Sequence, residues 1–281
     1  MDILVDTALK TRHATGENRV ALLGEAVSDY SRIEDLCWEL TEEGFQIPTP
    51  SLRVESLSDE LLEILKSNGL KTITIAPETV YSQRLKLNKP MTDSQILNTI
   101  DRAIDLKFKV KMYLLLGTPG ETTDNVMDLV NFIRSILSRG VRYNTIKTSV
   151  NPLIPKPHTP LQYMGFDYDT IDQRFKKYAP RLKYRYDKES LRKSAIQYVL
   201  SNSGVELNKI LKYADKIKFK DWYKILQNLN KVKSKNNYSL AWDEIDVGVK
   251  NKFLRQEYDK ITTGEITRWC EEGGCYNCGS C

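Results

Sequence analysis

Four of the five cysteines in this 281-residue chain fall within its last twelve residues, as Cys270-x4-Cys275-x2-Cys278-x2-Cys281. Four thiolates this close, interleaved with Gly273, Gly274 and Gly279, can wrap one soft metal centre, because glycine lets the backbone turn back on itself. The first three share the C-x4-C-x2-C spacing of plant-type ferredoxins, which favours an iron–sulfur cluster. Zinc is the alternative, although the usual two CxxC knuckles separated by a longer loop are absent. A reduced, metal-free tail is the plainer reading. Cys37 stands alone on an apolar helix face and reads as packing.

A second set of reactive side chains follows apolar runs. Residues 110–116 (Val-Lys-Met-Tyr-Leu-Leu-Leu) read as a buried strand that breaks at Gly117 into a Gly-Thr-Pro-Gly turn. A helix follows, with Thr122 or Thr123 placed to cap it and Asp124 in its first turn. No Lys-Ser or Lys-Thr follows the glycines, so this is not a P-loop. Gly24-Glu25, Arg53 with Glu55, Glu78 and Gly117–Gly120 each stand where a strand ends. If the strands are parallel, these residues meet on one rim. Carboxylates there suit an ammonium or sugar hydroxyls and Arg53 suits a carboxylate, the pattern for a zwitterionic or ribose-bearing ligand. Solvated strand-end charges are the alternative. His158, in a proline-rich loop, reads as structural, and His13 as solvated.

The elements that must position these groups alternate. Strands are expected at Asn18–Leu23, Gln46–Val54, Lys71–Ala76, Val110–Leu116 and Thr145–Val150. Helices are expected at Met1–Leu9, Ile33–Glu43, Asp59–Asn68, Ser82–Leu87, Thr92–Leu106 and Asn125–Ser138. Strands alternating with helices of this length imply βα units and a parallel sheet, either open and doubly wound or an incomplete barrel. The first helix has no strand before it. Residues 166–240 change texture to Tyr, Lys, Arg and Asn, with helical patches at Ser194–Leu200, Val205–Ile217 and Trp222–Leu229. That stretch reads as a helical extension whose solvated face could also line a polyanion.

The net charge of +5 comes from 42 basic and 37 acidic residues without a basic block, which permits nucleic-acid contact without arguing for it. An apolar fraction of 41% supports a core. No apolar run approaches the roughly 20 residues that span a bilayer, so a soluble, cytoplasmic protein with no membrane partner is expected.

Three stretches resemble radical S-adenosylmethionine (radical SAM) proteins of the cobalamin-binding-type or methylthiotransferase-like branch. Ala76-Pro-Glu-Thr-Val-Tyr-Ser-Gln-Arg-Leu-Lys-Leu-Asn-Lys-Pro-Met-Thr92 resembles the family's strand-4 segment. Tyr113-Leu-Leu-Leu-Gly-Thr-Pro-Gly-Glu-Thr122 resembles its strand-5 segment, and Asn151-Pro-Leu-Ile-Pro-Lys-Pro-His-Thr-Pro160 its strand-6 exit. Gly24-Glu25 falls at the family's Gly-Glu position. Trp242-Asp-Glu-Ile-Asp-Val-Gly-Val249 with the terminal cysteines is similar to the end of an uncharacterised subfamily. The family's defining Cys-x3-Cys-x2-Cys motif, which binds the 4Fe–4S cluster that holds SAM, is not in this sequence.

The resemblance implies an α/β fold, a partial (β/α)6 TIM-like barrel missing its first strand, over residues 1–165. A helical extension would occupy 166–240 and a segment ending in the Cys-rich metal motif 241–281. It implies SAM as cofactor, with Gly24 and Glu25 at the methionyl end, Glu78 on the ribose, Gly117 to Pro119 against the adenine and Arg53 near the carboxylate or substrate. Cys270, Cys275, Cys278 and Cys281 would hold a separate centre. The chemistry implied is radical modification of an RNA or protein substrate. The chain is expected to be a fragment, a split-gene product or a degenerate homologue. A non-catalytic module that takes its SAM cluster from a partner chain, and a nucleic-acid-binding protein, are the alternatives.

Overall fold

The computed structural model describes residues 2–24, 27–49, 51–138, 145–182, 186–213, 216–234 and 240–280. Its centre is a parallel sheet of β1 (Thr72–Glu78), β2 (Lys109–Leu116), β3 (Ile146–Pro152) and β4 (Tyr186–Lys188), ordered β1-β2-β3-β4. Strand order equals chain order, so every crossover steps the same way. A doubly wound sheet would reverse direction at a switch point, whereas this order is that of a barrel wall. The fold is α/β and barrel-like.

The helices over the outer face are α1 (Asp2–Thr15), α2 (Ile33–Glu42), α3 (Asp59–Ser67), α4 (Tyr81–Lys86), α5 (Asp93–Asp105) and α6 (Thr123–Leu137). Val110, Met112, Leu114 and Leu116 of β2 alternate inward, the first two into a core with Ile73 and Ile75 of β1 and Ile96 and Ile100 of α5, the last two into a second core. Each such side chain contributes about 1.5–3 kcal/mol on burial. Helix starts are fixed by hydroxyls: Ser58 accepts from Leu61 N–H, and Thr92 and Thr122 form capping boxes with Gln95 and Asn125. Each cap is worth about 1 kcal/mol.

The expected strands Asn18–Leu23 and Gln46–Val54 form only single parallel bridges, Arg19 to Gln46 and Leu52 to Ile75. Both continue the sheet in chain order. The ladder stops between them because Pro48 has no amide to give. In addition, Asn68, just past α3, takes the Phe45 carbonyl (2.7 Å) and the Ile47 amide (2.8 Å) with its side chain.

The region beyond Pro160 holds α7 (Tyr168–Tyr178), α8 (Leu191–Asn202), α9 (Asn208–Leu211) and α10 (Phe219–Lys233). It is not purely helical, since three-residue β4 joins the sheet, too short to leave an alternating pattern in the sequence. Phe166, Ile171, Phe175, Tyr198 and Leu226 share one core with Leu114, Val130 and Ile133. Then α11 (Asn251–Thr263) packs on α4 and on the 160–163 turn, and α12 (Cys270–Gly273) opens the cysteine tail. Among the described residues, no helix is long and apolar enough to cross a membrane.

Candidate functional site at the strand ends

The turn after β2 is locked from beneath. Gly117 has φ 84°, and a Cβ there would stand 2.6 Å from Ile171 Cδ1, so both backbone and space require glycine. The Glu121 side chain, 1% exposed, accepts the Gly117 amide at 3.0 Å and the Thr118 hydroxyl at 3.3 Å. Arg174 of α7 grips it at 2.5 Å and donates to its main-chain oxygen at 2.6 Å. Burial pushes the Glu121 carboxyl up from its ordinary value, and the Gly117 amide and Arg174 charge pull against that rise. Sequence reading missed this pair because nothing near Arg174 marks it. Gly117, Thr118 and Gly120 of the turn bound a cavity of about 170 Å3 together with Leu153, Met164 and Phe166, and Pro119 is half-buried. That volume takes a ring, whereas whole ligands of nucleoside size need about 300 Å3 or more.

The end of β1 is strained. Pro77 offers no amide, the β1–β2 register slips between Ile75 and Glu78, and Glu78 sits at φ 61°. A non-glycine residue there costs about 1–2 kcal/mol, a cost that clusters at functional sites. The Glu78 carboxylate, 13% exposed, meets Lys89 Nζ at 2.5 Å. The next helix, α4, links this end to the neighbouring turn. Gln83 accepts from the Thr118 hydroxyl at 3.2 Å, and Lys86 Nζ lies 3.5 Å from the Pro119 carbonyl. Arg84, fully enclosed, pairs with Asp93, and its Nε and Nη1 have no hydrogen-bond partner among the described residues. Burial lowers its pKa and Asp93 opposes the shift.

Arg53 is already engaged. Its Nη1 is 2.7 Å from Asp29, whose other oxygen accepts from Ser56 at 2.8 Å, and its Nε is 3.9 Å from Glu55. The indole of Trp269 lies against the guanidinium, 5.2 Å from ring centre to Cζ. Gly24 is exposed in a bend with room for a side chain, and Glu25 lies outside the described residues.

That indole brings the tail to the rim. Gly264, at φ 70°, ends α11 against Leu85. The Asn88 side chain then pairs with the Thr267 backbone, accepting its amide at 2.9 Å and donating to its carbonyl at 3.1 Å. Trp269 follows, and Cys270 is the next residue. Gly274, Asn277 and Gly279 all have positive φ and reverse the chain repeatedly. Cys275 Sγ accepts from the Asn277 amide at 3.3 Å and Cys278 Sγ from the Ser280 amide at 3.5 Å. The Ser280 amide holds the Cys278 thiol below its ordinary pKa. Cys270, Cys275 and Cys278 are free thiols, and Cys281 lies outside the described residues. Among the described residues no three His, Cys, Asp or Glu side chains converge closely enough to hold a metal ion. Cys37 is buried, which pushes its thiol up to about 11 and fits a packing role.

Residues 2–133 match the family model of the Radical SAM superfamily. An uncharacterized protein of Methanocaldococcus jannaschii is 36% identical over 208 residues, which are 70% of this chain and 44% of that protein. The chain thus spans less than half the length of that relative. Among solved structures, a radical S-adenosylmethionine methyltransferase, TsrM, from Kitasatospora setae with cobalamin and a 4Fe–4S cluster bound aligns at TM-score 0.42 and 13% identity, over 52% of this chain and 30% of its own. Coproporphyrinogen III oxidase (HemN) from Escherichia coli aligns at TM-score 0.42 and 14% identity, over 54% and 38%. The match to the Radical SAM superfamily model thus runs from α1 into α6.

Proposed function

We propose that the strand ends bind S-adenosylmethionine and that the chain is a radical SAM-type enzyme, or the C-terminal portion of one, of the cobalamin-binding-type or methylthiotransferase-like branch. Support comes from one juxtaposition: α4 ties the strained Glu78 to the locked Gly117 turn through Gln83 and Lys86. These residues fit the cofactor. The Glu78 carboxylate keeps acceptor sites for ribose hydroxyls beyond the one Lys89 fills. The Gly117 amide is consumed by Glu121, so Gly117 itself offers the ligand no donor, and Pro119 is the apolar member of the turn. Gly24 and Glu25 take the methionyl end, and Arg53 stands at the carboxylate end under Trp269. SAM supplies, in this family, a source of hydrogen-abstracting radical chemistry.

The cluster that would reduce SAM is another matter. The five cysteines of this sequence contain no Cys-x3-Cys-x2-Cys set to hold such a cluster. One observation favours a reading in which another polypeptide segment supplies it. An apolar groove of about 560 Å3 runs between α1, the 19–24 segment and α2, lined by Leu4, Ala8, Leu22 and Leu36, and a β-strand could lie in it. The tail cysteines hold a second centre, an iron–sulfur cluster with zinc as the alternative. The Ser280 amide bond onto Cys278 favours thiolate there.

The test is equilibrium binding of SAM to the purified chain. Saturable binding that Glu78→Ala weakens about tenfold is expected, the loss of a hydrogen bond to a charged group. Absent binding, or equal binding by the variant, would reject the assignment. Anaerobic reconstitution should load the tail with metal, and Cys275→Ala should lower the metal retained per chain. Equal retention would remove the tail centre.

A further inference from the structure

The concave face of the sheet carries charge that the strand-end site does not use. Alternation along β2 sets Lys109, Lys111 and Tyr113 opposite the buried Val110, Met112 and Leu114. Parallel register places Lys111 directly beside Lys147 of β3, and Lys109 beside Thr72 of β1. Adjacent strands lie about 4.8 Å apart, so the two lysines are closest cross-strand neighbours of like charge, a destabilising arrangement. Asp187 of β4 meets Lys147 Nζ at 2.6 Å, and Lys111 Nζ reaches the Tyr113 hydroxyl at 2.9 Å. Together, Lys109, Lys111, Lys147, Thr72 and Asp187 line a cavity of about 590 Å3 at the amino ends of the strands. Three ammonium groups against one carboxylate leave it positive. Lys109 is exposed and Lys147 half-exposed, so packing gives no reason for lysine at these positions.

We infer that this cavity binds a phosphate-bearing small molecule. Lys111 and Lys147 straddle the phosphoryl oxygens as point charges, Thr72 donates its hydroxyl, and Asp187 accepts from a hydroxyl of the ligand. The volume lies within the range of small-molecule sites, about 300–1,000 Å3. Lys111 is six residues before Gly117, about 20 Å along the strand at roughly 3.3 Å per residue, so this site is separate from the rim. It stands whether or not SAM binds there.

Calorimetric titration of the whole chain with inorganic pyrophosphate tests it. Saturable binding is expected, about tenfold or more weaker in Lys111→Met and in Lys147→Met and absent in the double variant. It should weaken further as salt rises from about 50 to 300 mM. Lys111→Met should melt higher than wild type without ligand, since the like-charge pair is gone, and should bind SAM as wild type does. No saturable binding at millimolar pyrophosphate, or undiminished binding by the double variant, would overturn the site. An oligonucleotide displaced by pyrophosphate would support the same cavity with backbone phosphates as the source. One that pyrophosphate cannot displace from a chain that also ignores pyrophosphate would overturn it.

Discussion

Gly117 and Glu78 occupy left-handed backbone for opposite reasons. At Gly117 the conformation is free, but a methyl group would enter Ile171. Gly117→Ala should therefore lower unfolding free energy by about 2–4 kcal/mol in urea titrations, combining the conformational penalty with overpacking. At Glu78 a side chain is kept despite the strain. Glu78→Gly should relieve about 1 kcal/mol of it and lose only a weak, partly exposed pair with Lys89, leaving stability within about 1 kcal/mol of wild type. SAM binding should fall all the same. A large loss of stability in Glu78→Gly would instead make that carboxylate structural. Lys233 supplies a pH test of the second core. Burial pulls its amine down to about 8, while it donates to Asn202 at 2.7 Å. Between that value and its ordinary 10.5, the unfolded chain holds more protons than the folded one, so stability rises with pH in that window. Relative to Lys233→Met, the wild type should gain stability from pH 7.5 to 10, and a constant difference would contradict the assignment.

Elements are joined at the rim by few but specific contacts. The tail is held where Asn88 copies a strand edge for Thr267 and where Trp269 covers Arg53. Trp269→Ala or Asn88→Ala should speed hydrogen exchange across residues 266–280 and leave the cooperative unfolding of the sheet unchanged, since these contacts lie outside both cores. Equal exchange would mean that α11 alone holds the tail. Arg84 is a different kind of joint, an enclosed guanidinium between α4 and α5 with two nitrogens that have no hydrogen-bond partner among the described residues. Its partner Asp93 is half-exposed, so Arg84→Met leaves no buried charge behind and should be close to neutral in urea titrations. Arg84→Ala opens a cavity and should cost about 2–4 kcal/mol.

At the scale of the molecule, what was legible followed from local pattern. The β1–α4–α5–β2–α6–β3 run appears in period-2 and period-3.6 alternation, and its helix ends follow capping residues. Strand order separated a barrel wall from a doubly wound sheet, a distinction that no local pattern carries. β4 was missed because three residues cannot show a period. The Glu121–Arg174 lock and the Asn88–Thr267 pair join positions 53 and 179 residues apart, and neither end carries a local signal. The candidate rim was legible in part. Glu78 and the Gly117 turn are brought together by α4, whereas Arg53, expected near the ligand's carboxylate or the substrate, is held by Asp29 and covered by Trp269.

Hydrogen–deuterium exchange of the whole chain with and without SAM tests the central claim most directly, because it reports binding and place together. Slower exchange at residues 78–80 and at Thr118 and Gly120, with Lys109 and Lys111 on the inner face unchanged, is the expected result. No change at any segment, or protection confined to residues away from the β1 and β2 ends, would contradict the assignment of the strand ends as the SAM site.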